Sequence, residues 1–238
     1  MKLDILAIGA HPDYVEISAA GTIISQVKQG LKVGILELTR GELGTRVTPE
    51  IRDKECINAA NIMGVCTRGN ARFRDGFILN NEEHQIELIK HIRAHQPNII
   101  LCNAECDSHP DHTNTGQLVK DASFLSGLRK IKTQLNGSSQ EPWRPKSIYF
   151  YIQYVYIKPD IVIDISPFQQ EKMAAIKAHK SQFFDPKSNE PETLISQRSF
   201  LDKIVARDQE FGRCINTDFA EGFTTARTIG TSSLTQLL

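Results

Sequence analysis

Two short clusters hold the side chains of this 238-residue chain whose types and spacing could do chemistry. The first is Gly9-Ala10-His11-Pro12-Asp13-Tyr14-Val15-Glu16, and the second is Asp107-Ser108-His109-Pro110-Asp111-His112. Each sets imidazole nitrogen beside carboxylate oxygen, the donor types of a hydrolytic zinc site. His11 and His112 are neutral nitrogen donors that can approach one Zn²⁺ to ~2.1 Å, with a carboxylate oxygen as third ligand and an open position left for water. Hydrolysis also needs a base, and Asp13 stands beside His11 to serve. His109 is suited to protonate a departing amine or to hydrogen-bond an oxyanion. Asp111, two residues on, either fixes the His109 tautomer or caps the following helix.

The flanking residues say how these clusters are positioned. Leu3 to Ile8 and Asn98 to Cys102 are short apolar runs of the kind that strands show when both sheet faces are covered. After the first, Ile17, Ala20, Ile23, Ile24 and Val27 recur at helical spacing until Gly30; after the second, Leu118, Val119, Ala122 and Leu125 do the same. Strand, polar turn, helix, twice over, predicts an α/β, Rossmann-like fold with a mainly parallel sheet and helices on both faces. Both histidine clusters then meet at the carboxyl edge of the sheet, across the switch-point crevice. Further strands are predicted at 33–39, 147–152 and 161–165, and helices at 49–63, 82–96, 166 to about 183, and 194–214. Residues 130–145 read as a surface excursion. Nothing resembling a linker divides the chain, so a single domain over 1–238 is expected.

Other candidates stay open. Arg40-Gly41-Glu42-Leu43-Gly44-Thr45-Arg46 is a polar loop at a strand's carboxyl end, either a substrate loop or a connector. It has neither the GxGxxG spacing nor the lysine of a phosphate-binding loop, and a redox enzyme of the dinucleotide type is disfavoured. Arg52 follows it, as a surface residue or a substrate contact. His84, His91 and His95 have charged neighbours and are expected to face solvent, whereas His179 is a candidate for the edge of the site. The five cysteines are scattered and odd in number, so reduced, incidental thiols are expected rather than ligands or disulfides.

Charge is balanced, with 28 basic and 28 acidic side chains, and so gives no warrant for nucleic acid or an anionic membrane as partner. No apolar run approaches the ~20 residues of a membrane span, and the N-terminus has no leader pattern. A cytoplasmic protein with a small-molecule substrate is the expectation.

The pairing of Ala10-His11-Pro12-Asp13-x-Val15-Glu16 with His109-Pro110-Asp111-His112 resembles the LmbE-like, or PIG-L, family of zinc-dependent N-acetylglucosamine deacetylases. The resemblance extends through residues 39–46, Arg52-Asp53-Lys54-Glu55, Ser181-Gln182-Phe183 and Ala220-Glu221-Gly222-Phe223, and is strongest to the bacillithiol-biosynthesis members. It implies removal of acetate from an N-acetylglucosaminyl substrate, N-acetylglucosaminyl-malate in that subgroup, with Zn²⁺ as cofactor and a homo-oligomer, trimer or hexamer, as the assembly. By position it implies His11, His112 and residue 14 as metal ligands and Asp13 as the base. His109, oriented by Asp111, is the stabiliser or acid, and Arg52, Glu42 and Arg46 are substrate contacts. One position departs from the pattern, because the family has aspartate where this chain has Tyr14. A phenol with pKa near ~10 is a poor zinc ligand beside carboxylate. Its ring is expected to turn away and leave metal binding weakened; the alternative function is a catalytically weakened sugar-binding or assembly subunit.

Overall fold

The computed structural model describes residues 1–46 and 48–233. In chain order the strands are β1 (Ile5–Gly9), β2 (Val33–Glu37), β3 (Thr67–Asn70), β4 (Ile99–Asn103), β5 (Gln134–Leu135), β6 (Ser138–Ser139), β7 (Ser147–Tyr151), β8 (Ile161–Asp164) and β9 (Ala220–Thr225). The helices are α1 (Tyr14–Lys28), α2 (Pro49–Met63), α3 (Glu82–His95), α4 (Pro110–Leu125), α5 (Gln169–Lys177) and α6 (Phe200–Arg213). Seven strands form one sheet in the order β3-β2-β1-β4-β7-β9-β8, and only β9 runs antiparallel to its neighbours. From β1 the chain moves outward to β2 and β3, then returns to add β4 on the other side of β1. The crevice beyond the carboxyl ends of β1 and β4 is therefore the switch point of the sheet.

Alternation along the strands sends side chains to two cores. Leu6, Ile8, Leu36, Ile100, Cys102 and Phe150 pack against α3 and α4 through Leu88, Ile89, Ile92, Leu118 and Val119. Ile5, Ala7, Val33, Ile35, Leu101 and Tyr151 pack against α1, α2 and α5 through Val15, Ala19, Ile23, Met63 and Ala175. Helices thus cover both faces, as the burial of β1 and β2 along their whole length requires. The approach of α4 to β4 is close: a Cβ on Gly116 would lie 2.8 and 2.9 Å from the carbonyl oxygens of Asn103 and Ala104. Glycine there holds the His109–His112 turn against the strand end.

Several elements differ from the sequence expectation. β3 and β9 were not foreseen, because Thr67-Arg68-Gly69-Asn70 is polar and β9 carries Glu221 and Gly222. The surface excursion contains a two-stranded β5–β6 hairpin. The helix expected from 166 begins as a 3₁₀ turn and ends at Lys177, and α6 starts at Phe200 rather than 194.

Glu221 is stable inside the sheet because it is paired. Lys172 of α5, with no exposed surface, lies 2.6 Å from Asp208 of α6 and 2.8 Å from Glu221, whose carboxylate also accepts the Gly21 and Thr22 amides of α1 at 3.0 and 2.7 Å. Lys172→Met keeps the volume but removes the cation that two buried carboxylates share. A loss of about 3–5 kcal/mol in denaturant unfolding is expected, the cost of breaking a buried pair from one side.

Candidate functional site

β1 delivers His11 and α4 delivers His112 to the switch point. The turn after β1 is held to β4 by Asn103, whose Oδ1 accepts the Ala10 amide at 2.9 Å and lies 3.0 Å from the Tyr151 hydroxyl. Asp13 has a left-handed φ of 79°, unusual for a residue with a side chain, and this turns the chain into α1 within two residues of His11. On the other side His109 is the N-cap of α4, followed by Pro110 in the first turn, where proline's fixed φ suits a helix start.

Three imidazoles meet there. Ring centroids are 5.4 Å apart for His11 and His112, 4.9 Å for His11 and His109, and 4.8 Å for His109 and His112. His11 Nε2 lies 3.0 Å from Asp75 Oδ1 and 3.0 Å from Asp111 Oδ2, and His112 Nδ1 is 3.4 Å from Asp107 Oδ2. That leaves His11 Nδ1 and His112 Nε2 buried and away from any carboxylate or hydrogen-bond partner, and His112 Nδ1, though it faces Asp107, makes no hydrogen bond either. Burial would lower the His11 pKa, but the Asp111 and Asp75 carboxylates outweigh it and raise it; in His112 burial prevails over Asp107 and lowers it. A histidine with one ring nitrogen on a carboxylate and the other free is the arrangement that orients an imidazole for a metal. The donor set fits Zn²⁺: ring nitrogens of His11, His109 and His112 lie within 4.8 Å of one another, as do donor atoms of His11, Asp75 and Asp111.

Tyr14 does not turn away. Its ring packs 4.5 Å from His112 and 5.2 Å from His11, because α1 starts at this residue and the turn leaves the side chain over the imidazoles. Burial pushes its phenol pKa up and the neighbouring Asp13 charge adds to the rise, so the hydroxyl stays protonated. The ring lies over the two imidazoles and brings no negative charge to them.

Asp111 does not orient His109. Its carboxylate goes instead to His11 and to the amides of Gly76 and Ile78 at 2.8 and 3.1 Å. His109 is oriented by the backbone, since its Nδ1 accepts the Asp111 N–H at 3.1 Å. An accepting Nδ1 puts the proton of neutral imidazole on Nε2, which then donates. Burial lowers the His109 pKa and nearby His11 lowers it further, which favours that neutral form.

The three expected substrate contacts are engaged with the protein itself. Arg52 is buried rather than a surface residue: it donates to Gly41 O at 3.2 Å, Pro12 O at 2.9 Å and Asp13 Oδ2 at 3.2 Å, clamping the polar loop to the first histidine turn. Arg46 is also buried and donates to Ser181 O, Ser188 Oγ and Pro191 O, bracing the 181–191 loop. Glu42 is exposed, yet it accepts the Arg40 and Asp75 amides and so supports the Asp75 turn. Asp13 is fully buried, with Oδ2 on Arg52 and Oδ1 unpartnered. Burial raises its pKa against the opposing pull of Arg52.

The main residue that sequence reasoning missed is Asp75, five residues beyond an unrecognised strand; the only signal was Asp-Gly shortly after that strand's carboxyl end. Glu16, in the first cluster, has no chemical role assigned by the sequence pattern. It binds Arg68 and lies 3.1 Å from His179 Nε2, so His179 lies under the site rather than in it. His84 is not simply solvated, for it stacks on Phe73 at 4.0 Å. Asp75→Asn is expected to weaken zinc affinity about tenfold, the low end for an outer carboxylate partner because Asp111 still holds His11; competition with a zinc chelator measures it.

Beside Tyr14, His109 and His112 opens a cavity of about 410 Å³. Among the described residues no helix is long and apolar enough to cross a membrane.

Residues 6–123 match the family described as PIG-L: GlcNAc-PI de-N-acetylase. The diacetylchitobiose deacetylase of Thermococcus kodakarensis is 29% identical over 190 residues, 75% of this chain and 70% of that protein. The probable N-acetyl-alpha-D-glucosaminyl L-malate deacetylase 2 of Bacillus subtilis is 27% identical over 199 residues, 76% of this chain and 84% of that one. The crystal structure of the conserved protein TT1542 from Thermus thermophilus superposes with a TM-score of 0.87 at 32% identity, covering 98% of each chain. With its paired histidine turns at the switch point of the same fold, the chain belongs to the PIG-L, or LmbE-like, family of amide-hydrolysing deacetylases.

Proposed function

We propose that the chain removes acetate from an N-acetylglucosaminyl substrate with zinc held by His11 and His112. The observation that carries this reading is the pair of buried, unpartnered ring nitrogens, each on a histidine whose other nitrogen faces a carboxylate. The ion would supply Lewis-acid polarisation of the amide carbonyl and of the attacking water. Asp13 Oδ1 takes the proton from that water while Arg52 keeps Oδ2 in place; a carboxylate whose pKa is raised by burial suits a base working near neutral pH. The same oxygen then returns the proton to the departing amine. His109 Nε2–H donates to the carbonyl oxygen as negative charge gathers there, acting as a neutral donor.

The family's sugar deacetylases support the amino-sugar assignment, and a malate conjugate and a chitobiose are the aglycones their names carry. Homo-oligomeric assembly is carried over from the family resemblance. The reading as a non-catalytic subunit is not favoured, because base, donor and two ligands are all retained and only position 14 departs.

Acetate release from N-acetylglucosaminyl-malate, diacetylchitobiose and N-acetylglucosamine, with and without added Zn²⁺, tests the proposal. Release that depends on zinc and falls about 10²- to 10⁴-fold in Asp13→Asn supports it. No release from any of the three, in either the natural chain or Tyr14→Asp, overturns it.

A further inference from the structure

Resting on the deacetylase reading, we propose that the aglycone of the amino sugar is apolar, an aryl or alkyl group seated in the cavity beside the histidines. At about 410 Å³ the cavity falls in the range of small-ligand sites, ~300–1,000 Å³. It is continuous with the reaction centre, since Tyr14, His109 and His112 form one wall.

Much of the remaining wall is hydrocarbon. Ile17, Ile152, Ile204 and Phe211 line it and are themselves buried, so this part of the cavity is preformed by core side chains of α1, α6 and the segment after β7. Tyr154, Tyr156 and Leu194 also line it, 55%, 65% and 46% exposed. Three large apolar side chains left in water around one opening cost free energy unless a ligand covers them.

The charges in the wall argue against a dianionic aglycone. Arg207 is largely committed: its Nη atoms donate to Gln153 O at 3.0 Å and Ile17 O at 2.6 Å and pair with Asp208 at 3.2 Å, which leaves only its buried Nε without a partner. Glu210 adds a carboxylate, paired with Arg213. For a malate dianion the cavity offers Lys203, exposed to solvent and screened, and the single unpartnered Arg207 Nε, with Glu210 opposing them. An apolar group instead buries surface against Ile17, Ile152, Leu194, Ile204 and Phe211.

Isothermal titration of the full-length protein with phenyl N-acetylglucosaminide (both anomers), octyl N-acetylglucosaminide, N-acetylglucosaminyl-malate and N-acetylglucosamine tests this without requiring turnover. A phenyl or octyl glycoside is expected to bind at least about tenfold tighter than the malate conjugate or the free sugar, the gain for burying one apolar side chain's worth of surface. Leu194→Asp and Tyr156→Ser alter exposed positions and are expected to bring that ratio toward one with unchanged thermal unfolding. Equal affinities, tighter binding of the malate conjugate, or a ratio untouched by both variants overturns the proposal. Acetate release from the same compounds separates it from the reading it rests on. Release without preference, together with equal affinities, removes only the apolar aglycone; no release from any compound, in the natural chain or Tyr14→Asp, removes the deacetylase.

Discussion

Tyr14→Asp is expected to bring bound zinc from well below one equivalent to near one, and to raise acetate turnover by more than tenfold. The reason is charge and size together. Burial and the Asp13 charge keep the Tyr14 hydroxyl protonated, and a neutral phenol is a weak donor to zinc. Its ring also sits 4.5 Å from His112, filling space that a shorter carboxylate would free. Changing an outer partner of a ligand shifts metal affinity about 10- to 100-fold, and restoring a direct ligand should exceed that. Metal analysis after dialysis, run on both proteins in parallel with acetate release, reads the result. Full zinc occupancy in the Tyr14 protein would show that the two histidines, with His109 or a carboxylate, hold the ion unaided.

His109→Ala is expected to lower kcat by about 10²- to 10³-fold, the effect of removing one donor to a developing oxyanion, with KM little changed. The split follows from geometry. With Nδ1 accepting the Asp111 amide, the Nε2 proton is directed by the helix start itself, so its value is greatest when charge builds on the substrate oxygen. Loss of the cap should also cost about 1 kcal/mol of stability, which thermal unfolding would register. A KM rise with kcat intact would place His109 in ground-state binding instead.

Much of this architecture was legible from local pattern. Unbroken apolar runs mark buried strands, and helical spacing after each polar turn marks the crossovers; the handedness and switch-point rules then bring His11 and His112 together. The limits of α2 coincide with expectation because Pro49 and Gly64 act through their own backbones, the glycine adopting φ 70°. Such signals travel with the residue and need no neighbour from elsewhere in the chain.

What only the tertiary structure decided was the partner of each polar side chain. Asp111 could face His109 or cap its helix by spacing alone, and in the fold it reaches His11 and the 76–78 amides. Arg52 and Arg46 read as surface or substrate residues, yet buried carbonyls far along the chain claim their donors. β9 was hidden because Glu221 inside a core strand makes sense only beside Lys172. Periodicity reports which face of an element is apolar, a property of neighbours in sequence. A buried charge or hydrogen bond is settled by whichever distant group the packed chain brings within about 3 Å, because leaving it unpaired costs more than any local preference returns.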